Sequence, residues 1–257
     1  MMGAGLRMDD AELAAHLAEV TGRILLEVRE AKVFSGKALG KAGDQTANQF
    51  LVHALRDTRP DDGLLSEEMK CDGARLTQSR VWIVDPVDGT REYGEERADW
   101  AVHVALVVDG VATVGAVALP GAGQLLRSDR PQPLPPAGDP LRMVVSRTRP
   151  AAEALAVAGM LGAELLPMGS AGAKAMAVVT GQADIYLHSG GQYEWDSAAP
   201  VAVAAAYGLH CSRIDGSPLR YNREDVYMPD LLICRPELAR RVLDAQRRGV
   251  GGEQATR

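Results

Sequence analysis

Arg80-Val-Trp-Ile-Val-Asp85-Pro86-Val87-Asp88-Gly89-Thr90 is the most informative stretch of this chain. Residues 80–84 form a short apolar run of strand type that delivers Asp85 to its carboxyl end. Pro86, which has no N–H to donate, is expected to stop that strand. Asp88 follows at a Gly-containing bend, so both carboxylates can point into one small volume. Two like charges so close raise each other's pKa unless a cation compensates them. Mg²⁺ suits such a place, because it prefers a few carboxylate oxygens, water and substrate phosphate. Gly89 and Thr90 add backbone N–H groups and a hydroxyl at an expected helix start, where a phosphate sits well. The plainer reading of D-P-x-D-G is turn chemistry alone.

Working outward, Ser66-Glu67-Glu68 follows the apolar pair Leu64-Leu65 and by itself reads as a solvated turn. Further upstream, Asp44 is expected to open a helix to about Asp57, with Phe50, Leu51, Ala54 and Leu55 as its inner face and Pro60 beyond its end; Asp in that place is usually a cap. A first amphipathic helix is expected from Asp9 to about Ala31, with Asp9 and Glu12 as a capping pair. Downstream, Ala101–Val108 and Val111–Leu119 are two β-rich runs joined by Asp109-Gly110, a strong hairpin signal.

Ser128–Pro140 holds five prolines in thirteen residues and cannot supply a central strand or a helix interior. Beyond it the pattern alternates. Strands are expected at 141–146, 164–167 and 183–188, and helices at 150–161, 171–180 and 196–207. The fold class is therefore α/β, with an α+β N-terminal part (1–127), a Pro-rich crossing (128–140) and an α/β C-terminal part (141–257). The tail GVGGEQATR is expected to be frayed. Glu194-Trp195-Asp196 begins the last of these helices. Asp196 reads most simply as an N-cap, yet a carboxylate from a separate α/β unit would complete a metal site in the cleft between the two parts.

Composition narrows the function classes. With 28 Lys+Arg against 34 Asp+Glu, a net charge of −6 and 4% aromatics, neither a broad basic face nor a base-stacking platform for nucleic acid is expected. Cys71, Cys211 and Cys234 form no CxxC pair, which excludes a disulfide scaffold or zinc ribbon and points to a reducing compartment. The charged N-terminus lacks a signal peptide's apolar core, and no uninterrupted apolar stretch has membrane-spanning length. The expected setting is cytoplasmic, with no membrane contact.

Taken in order, Asp44, Ser-Glu67-Glu68, Asp85-Pro-Val-Asp88-Gly-Thr90 and Trp195-Asp196-Ser-Ala-Ala resemble the inositol monophosphatase superfamily, whose pattern reads Asp, G-E-E, D-P-[ILV]-D-G-T and W-D-x-A-A. The resemblance spans about Asp9 to Cys234. It implies a layered αβαβα fold, like that of inositol monophosphatase and fructose-1,6-bisphosphatase. Arg91-Glu92-Tyr93, Gly169-Ser170 with Lys174, Glu194-Trp-Asp and Pro218-Leu-Arg-Tyr221-Asn222 resemble the CysQ branch, which removes the 3′-phosphate of 3′-phosphoadenosine 5′-phosphate. There are departures: the family's S-P-V-T-x-A-D is Ala38-Leu-Gly-Lys41-Ala-Gly-Asp44 here, and the first Gly of G-E-E is Ser66. Asn48, in Thr46-Ala47-Asn48, is a superficial rival to Asp44.

The resemblance implies a Mg²⁺-dependent, lithium-sensitive phosphoric monoester hydrolase with a role in sulfur assimilation. Glu67, Asp85 and the Val87 carbonyl would hold one ion and Asp85, Asp88 and Asp196 a second, with a third, weaker ion near Glu67. The nucleophile would be a metal-activated water, its proton accepted through Thr90 and Asp44. Asp88, Gly89, Thr90, Arg91, Ser170, Lys174, Glu194 and Asp196 would meet a small phosphorylated substrate. A homodimer is also implied. Three alternatives stay beside these roles: Lys174 as an exposed helix residue, Arg91 as a surface partner of Glu92 or a neighbouring acid, and His103 as a structural residue of its strand. Cys71 reads as a bystander. Rival readings are an inositol or fructose phosphatase, and a non-catalytic metal or nucleotide sensor.

Overall fold

The computed structural model describes residues 8–70 and 73–254; Cys71 and the chain ends lie outside the described residues. Helices α1 (Asp10–Glu30) and α2 (Gly36–Thr58) come first. Asp9 caps α1, accepting the Glu12 N–H at 2.8 Å. Five strands follow: β1 (Gly63–Ser66), β2 (Arg80–Asp88), β3 (Ala101–Val108), β4 (Val111–Leu119) and β5 (Gln124–Arg127), with the short helix α3 (Thr90–Gly94) between β2 and β3. They form one sheet in chain order, with β1–β2 parallel and the remaining pairs antiparallel. The β3–β4 turn at Asp109-Gly110 has positive φ at both residues, as a tight right-twisting hairpin requires.

The chain then crosses to a second sheet through the proline-rich segment. Strands β6 (Arg142–Ser146), β7 (Glu164–Met168), β8 (Ile185–Tyr193), β9 (His210–Ser212) and β10 (Tyr227–Cys234) lie in the order β7-β6-β8-β10-β9. Helices α4 (Ala152–Leu161), α5 (Ala171–Val179), α6 (Glu194–Ala206) and α7 (Ala239–Gln254) complete the fold.

Side-chain alternation along β2 shows why the molecule is layered. Trp82 and Val84 face α1 and α2 in one core with Leu17, Leu25 and Leu51. Val81 and Ile83 face the opposite way, into a central core with Met176 of α5, Ala198 and Val203 of α6, and Tyr186 and Ile233 of the second sheet. A third core packs Met143, Ile185 and Leu232 against Val157 of α4 and Val242 of α7. The order is thus α/β/α/β/α, with α5 and α6 sandwiched between two sheets buried on both faces.

Four local expectations are corrected. Helix α2 starts at Gly36, so Asp44 lies within it rather than at its cap, and Lys41 is an exposed helical residue instead of part of a loop. Tertiary packing overrides the poor helix propensity of its glycines. A Cβ at Gly40 would come within 2.8 Å of Thr90 Cγ2, and one at Gly43 within 2.6 Å of the Tyr93 ring. Pro86 does not end β2; pairing with β3 continues to Asp88, interrupted by a bulge between Asp85 and Asp88 that absorbs the missing donor. Helix α6 begins at Glu194 with Tyr193 as N-cap, so Asp196 is its third residue. Finally, α7 runs through 249–254 of the tail expected to be frayed.

Candidate active site

The bulge in β2 aims Asp85 and Asp88 the same way, and the start of α6 brings Asp196 to meet them. Single carboxylate oxygens of these three residues lie within 4.8 Å of one another. Asp85 and Asp88 are buried and Asp196 is half-buried. Asp85 Oδ1 accepts the Val87 N–H at 3.1 Å, and Asp196 Oδ2 accepts the Tyr193 N–H at 2.6 Å, which closes a capping box at the head of α6.

The three carboxylates differ electrostatically. Burial, then the charges of Glu67, Asp88 and Asp196, push Asp85 well above the usual carboxylate range. Burial and the Asp88 charge push Asp196 up to about 7. Asp88 goes the other way: burial opposes its ionisation, but His103, Ser170 and Lys174 together hold it well below the usual range. The site thus concentrates negative charge around one firmly ionised carboxylate. Closely set oxygen donors of this kind suit a hard divalent cation, so the residues present fit a metal ion.

Asp88 is held by the N-terminus of α5, contributed by the other sheet's side of the molecule. Its Oδ1 accepts the Ala171 N–H at 3.0 Å and its Oδ2 the Gly172 N–H at 2.6 Å, and the Ser170 hydroxyl donates to Oδ2. Ser170 also caps α5 by accepting the Ala173 N–H at 3.0 Å. His103 Nε2 sits 3.2 Å from Asp88 Oδ2, at ion-pair distance, while Nδ1 lies 3.0 Å from the Trp195 carbonyl oxygen. Burial is the largest single influence on His103 and lowers its pKa, but the charge and hydrogen bond of Asp88, the Trp195 carbonyl and the Asp196 charge together outweigh it and raise the ring above its ordinary value. His103 therefore lies beneath the cluster and touches two of its elements.

This close approach of α5 needs a residue without a side chain. A Cβ on Gly172 would overlap His103 Nε2 and lie 3.1 Å from Asp88 Oδ2. Gly172→Ala is expected to cost about 1–3 kcal/mol through overpacking. The measurement is the midpoint of chemical denaturation, and an unchanged midpoint would contradict the tight packing described here.

A second group of residues lies beside the first. The Thr90 hydroxyl faces two acceptors, the Val87 carbonyl at 3.1 Å and Asp44 Oδ1 at 3.3 Å. Burial, then the charges of Glu68 and Glu67, raise the Asp44 carboxyl to about 7, with the Thr90 contact pulling it down. Glu67, exposed in the turn after β1, shares a hydrogen bond with Asp85; partial desolvation and the Asp88 and Glu68 charges raise its pKa. Asn48, the rival to Asp44 in the sequence, instead accepts the Ser66 hydroxyl at 2.8 Å and steadies the residue before Glu67.

The remaining sequence candidates fall into different surroundings. Gly89 and Thr90 begin α3, where backbone N–H groups have no intrahelical acceptor. Lys174 is not an exposed helix residue: it is buried, donates to the carbonyls of Gly169 (3.3 Å) and Ser170, and lies 5.5 Å over the Tyr186 ring. Burial lowers its pKa against the pull of Asp88. Arg91 is exposed and pairs with a neighbouring surface acid, Glu95, at 2.8 Å, while Glu92 is taken by Arg147 at 2.7 Å. Glu194 is fully buried and accepts the N–H groups of Asn222 (2.7 Å) and Arg223 (2.8 Å).

Sequence reasoning set His103 aside as structural and did not single out Asn48 or the α5 amides as partners of the site. The one available signal for His103 was a polar residue inside an otherwise apolar strand, Ala101–Val108.

Comparison with known proteins agrees with this architecture. The inositol monophosphatase family matches residues 11–249. A protein of Mycobacterium leprae named 3′-phosphoadenosine 5′-phosphate phosphatase is 50% identical over 247 residues, covering 90% of this chain and 91% of its own length. The 3′(2′),5′-bisphosphate nucleotidase CysQ of Escherichia coli K12 is 31% identical over 200 residues, 73% of this chain and 81% of its own. Among solved structures, CysQ from Bacteroides thetaiotaomicron superposes with a TM-score of 0.75 at 27% identity, covering 88% of this chain and 97% of that one. With three carboxylates converging from β2 and α6 in a layered αβαβα frame, and with sequence likeness along nearly its whole length, the chain belongs to the inositol monophosphatase family.

Proposed function

We propose that this protein is a Mg²⁺-dependent phosphatase that hydrolyses the 3′-phosphate ester of 3′-phosphoadenosine 5′-phosphate, giving AMP and phosphate. The observation that carries the reading is the Asp85–Asp88–Asp196 cluster within 4.8 Å, in a chain 50% identical to a relative of that name. Asp85, Asp88, Asp196, Glu67 and the Val87 carbonyl would hold the ions, two or three per site. Mg²⁺ supplies positive charge for the attacking and departing oxygens of an in-line displacement.

The chain's own residues supply the rest. Water adds to phosphorus, the bond from phosphorus to the ribose 3′ oxygen breaks, and that oxygen leaves as a hydroxyl by taking a proton from solvent water. The Thr90 hydroxyl, 3.3 Å from Asp44, lines a route by which the water's proton reaches the Asp44 carboxylate. A carboxyl raised to about 7 is matched to taking up a proton near neutral pH. The α3 start, with Gly89 and Thr90, would orient the phosphate. Ser170 and Lys174 would orient the nucleotide from α5. Glu194, fully engaged by residues 222 and 223, would act by shaping that loop. The proposal extends to a cytoplasmic homodimer; no described helix is long and apolar enough to cross a membrane.

The test is phosphate release from 3′-phosphoadenosine 5′-phosphate, fructose 1,6-bisphosphate and inositol 1-phosphate, each with Mg²⁺ or with chelator. Mg²⁺-dependent turnover led by the nucleotide is the expected result. A lead by inositol or fructose phosphate would keep the chemistry and replace the substrate. Metal binding without release from any of the three would favour a sensor.

A further inference from the structure

We propose that Arg75 is a positioning residue for the metal cluster: by clamping residues 222 and 223 it holds Asp196 of α6 against the sheet that carries Asp85 and Asp88. The proposal rests on the metal-site reading above. Arg75 lies in a single 3-10 turn, Ala74–Thr77, between the Glu67 turn and β2, and is only 2% exposed. One guanidinium nitrogen, Nη1, donates to Asn222 Oδ1 at 2.7 Å, and Nη2 donates to the Arg223 carbonyl at 2.7 Å. The Arg75 carbonyl in turn accepts the Asn222 side-chain amide at 3.1 Å. Three bonds thus tie one residue of the first sheet's side to two consecutive residues of the second's.

The clamped segment reaches the cluster through α6. Glu194, the first residue of α6, accepts both the Asn222 and Arg223 N–H groups, and Asp196 follows it by two residues on the same helix. Tyr221 adds two further ties: its N–H donates to the Gly110 carbonyl at the β3–β4 turn at 3.0 Å, and its hydroxyl lies 3.3 Å from Ser197 Oγ. A helix is rigid over two residues, so the place where Glu194 is tied sets where Asp196 can reach. A buried guanidinium is costly to desolvate, and a purely apolar packing at this seam would hold the two sides together at lower cost. What the guanidinium adds is direction, since its planar fork fixes both the Asn222 side chain and the Arg223 carbonyl. Outer partners of this kind tune metal affinity without touching the ion.

A second interior network serves as control. Asp184 accepts the backbone N–H groups of Gly138 and Arg142, each at 2.9 Å, and pairs with the guanidinium groups of Arg235 at 3.1 Å and Arg142 at 3.4 Å, while Arg142 Nη2 donates to the Gly181 carbonyl at 2.9 Å; this network anchors the proline-rich crossing and makes no bond to the cluster among the described residues. The experiment titrates Mn²⁺ into the full chain, followed by electron paramagnetic resonance, for wild type, Arg75→Met, Arg75→Lys, Asn222→Gly and Arg142→Ala. Mg²⁺ activation of phosphate release is measured in parallel. Asn222 has φ of 58°, which glycine adopts freely, so Asn222→Gly removes the side-chain clamp without straining the backbone. It also keeps the test alive should Arg75→Met fail to fold.

Arg75→Met and Asn222→Gly are expected to weaken Mn²⁺ binding and raise the Mg²⁺ half-saturation by about tenfold. The KM for nucleotide at saturating Mg²⁺ should stay put, Arg75→Lys should fall between, and Arg142→Ala should lower the melting temperature with Mn²⁺ binding unchanged. Unaltered Mn²⁺ binding in the Arg75 and Asn222 variants would overturn the clamp, as would an equal loss in Arg142→Ala. A wild type that binds no Mn²⁺ would instead overturn the metal-site reading itself.

Discussion

Asp88→Asn is expected to lower phosphate release by more than about a thousandfold at saturating Mg²⁺, with the fold retained. The shape of the side chain is kept, but the one firmly ionised carboxylate of the cluster is removed. Charge stabilisation by a bound ion is worth several kcal/mol, and about 4 kcal/mol corresponds to about a thousandfold in rate. The amide also cannot accept at both positions where Asp88 now meets Ala171, Gly172 and Ser170, so one donor of the α5 terminus is left facing another. After burial, Asp88 is the largest contributor to the raised pKa of Asp196, so the variant should let that carboxyl fall back towards its ordinary value. The measurements are steady-state phosphate release and the number of Mn²⁺ ions bound. Turnover within about tenfold of wild type would remove Asp88 from the catalytic centre.

The second large effect links metal, pH and stability. In the ion-free chain Asp44 and Asp196 both hold their protons up to about pH 7, whereas in the unfolded chain they release them near 3.8, the ordinary aspartate value. A folded-state pKa raised in this way contributes stability that is fully present below about pH 4 and is lost as pH rises to about 7. Asp88, depressed rather than raised, contributes stability that is present above about pH 4 and is lost only as pH falls into stronger acid, so it adds no slope near neutral pH. A divalent cation held by Asp196 would replace its proton, so binding releases that proton and strengthens with pH. In chelator, the melting temperature is expected to fall between about pH 5 and about pH 8. Mg²⁺ should add little at the lower pH and on the order of 5–10 °C at the higher. Equal stabilisation by Mg²⁺ at both pH values would show that Asp196 does not hold the ion.

Much of this organisation was legible in the chain. The alternating apolar residues of β2, the Asp109-Gly110 turn and the proline-rich crossing are local signals, and the structure has strands, hairpin and sheet change where they occur. The order of Asp44, Glu67, Asp85, Asp88, Thr90 and Asp196 pointed to the family. The misreadings came from local rules overruled by packing. Asp44, a favoured cap residue, argued for a helix start, yet α2 begins at Gly36, and Gly40 and Gly43 let that extra length lie against Thr90 and Tyr93. Pro86 argued for a strand end, yet a bulge accommodates it.

By itself, then, the sequence determined the element types and which carboxylates are available, because periodicity, turn chemistry and residue type act over a few neighbouring residues. Only the tertiary structure decided which groups surround those carboxylates. The amides that hold Asp88 come from α5, 83 and 84 residues away, and Arg75 meets Asn222 across 147. So did the division between Asp88, held ionised, and Asp85 and Asp196, pushed towards neutrality, because a carboxyl's pKa follows from burial and from charges that only folding brings near it.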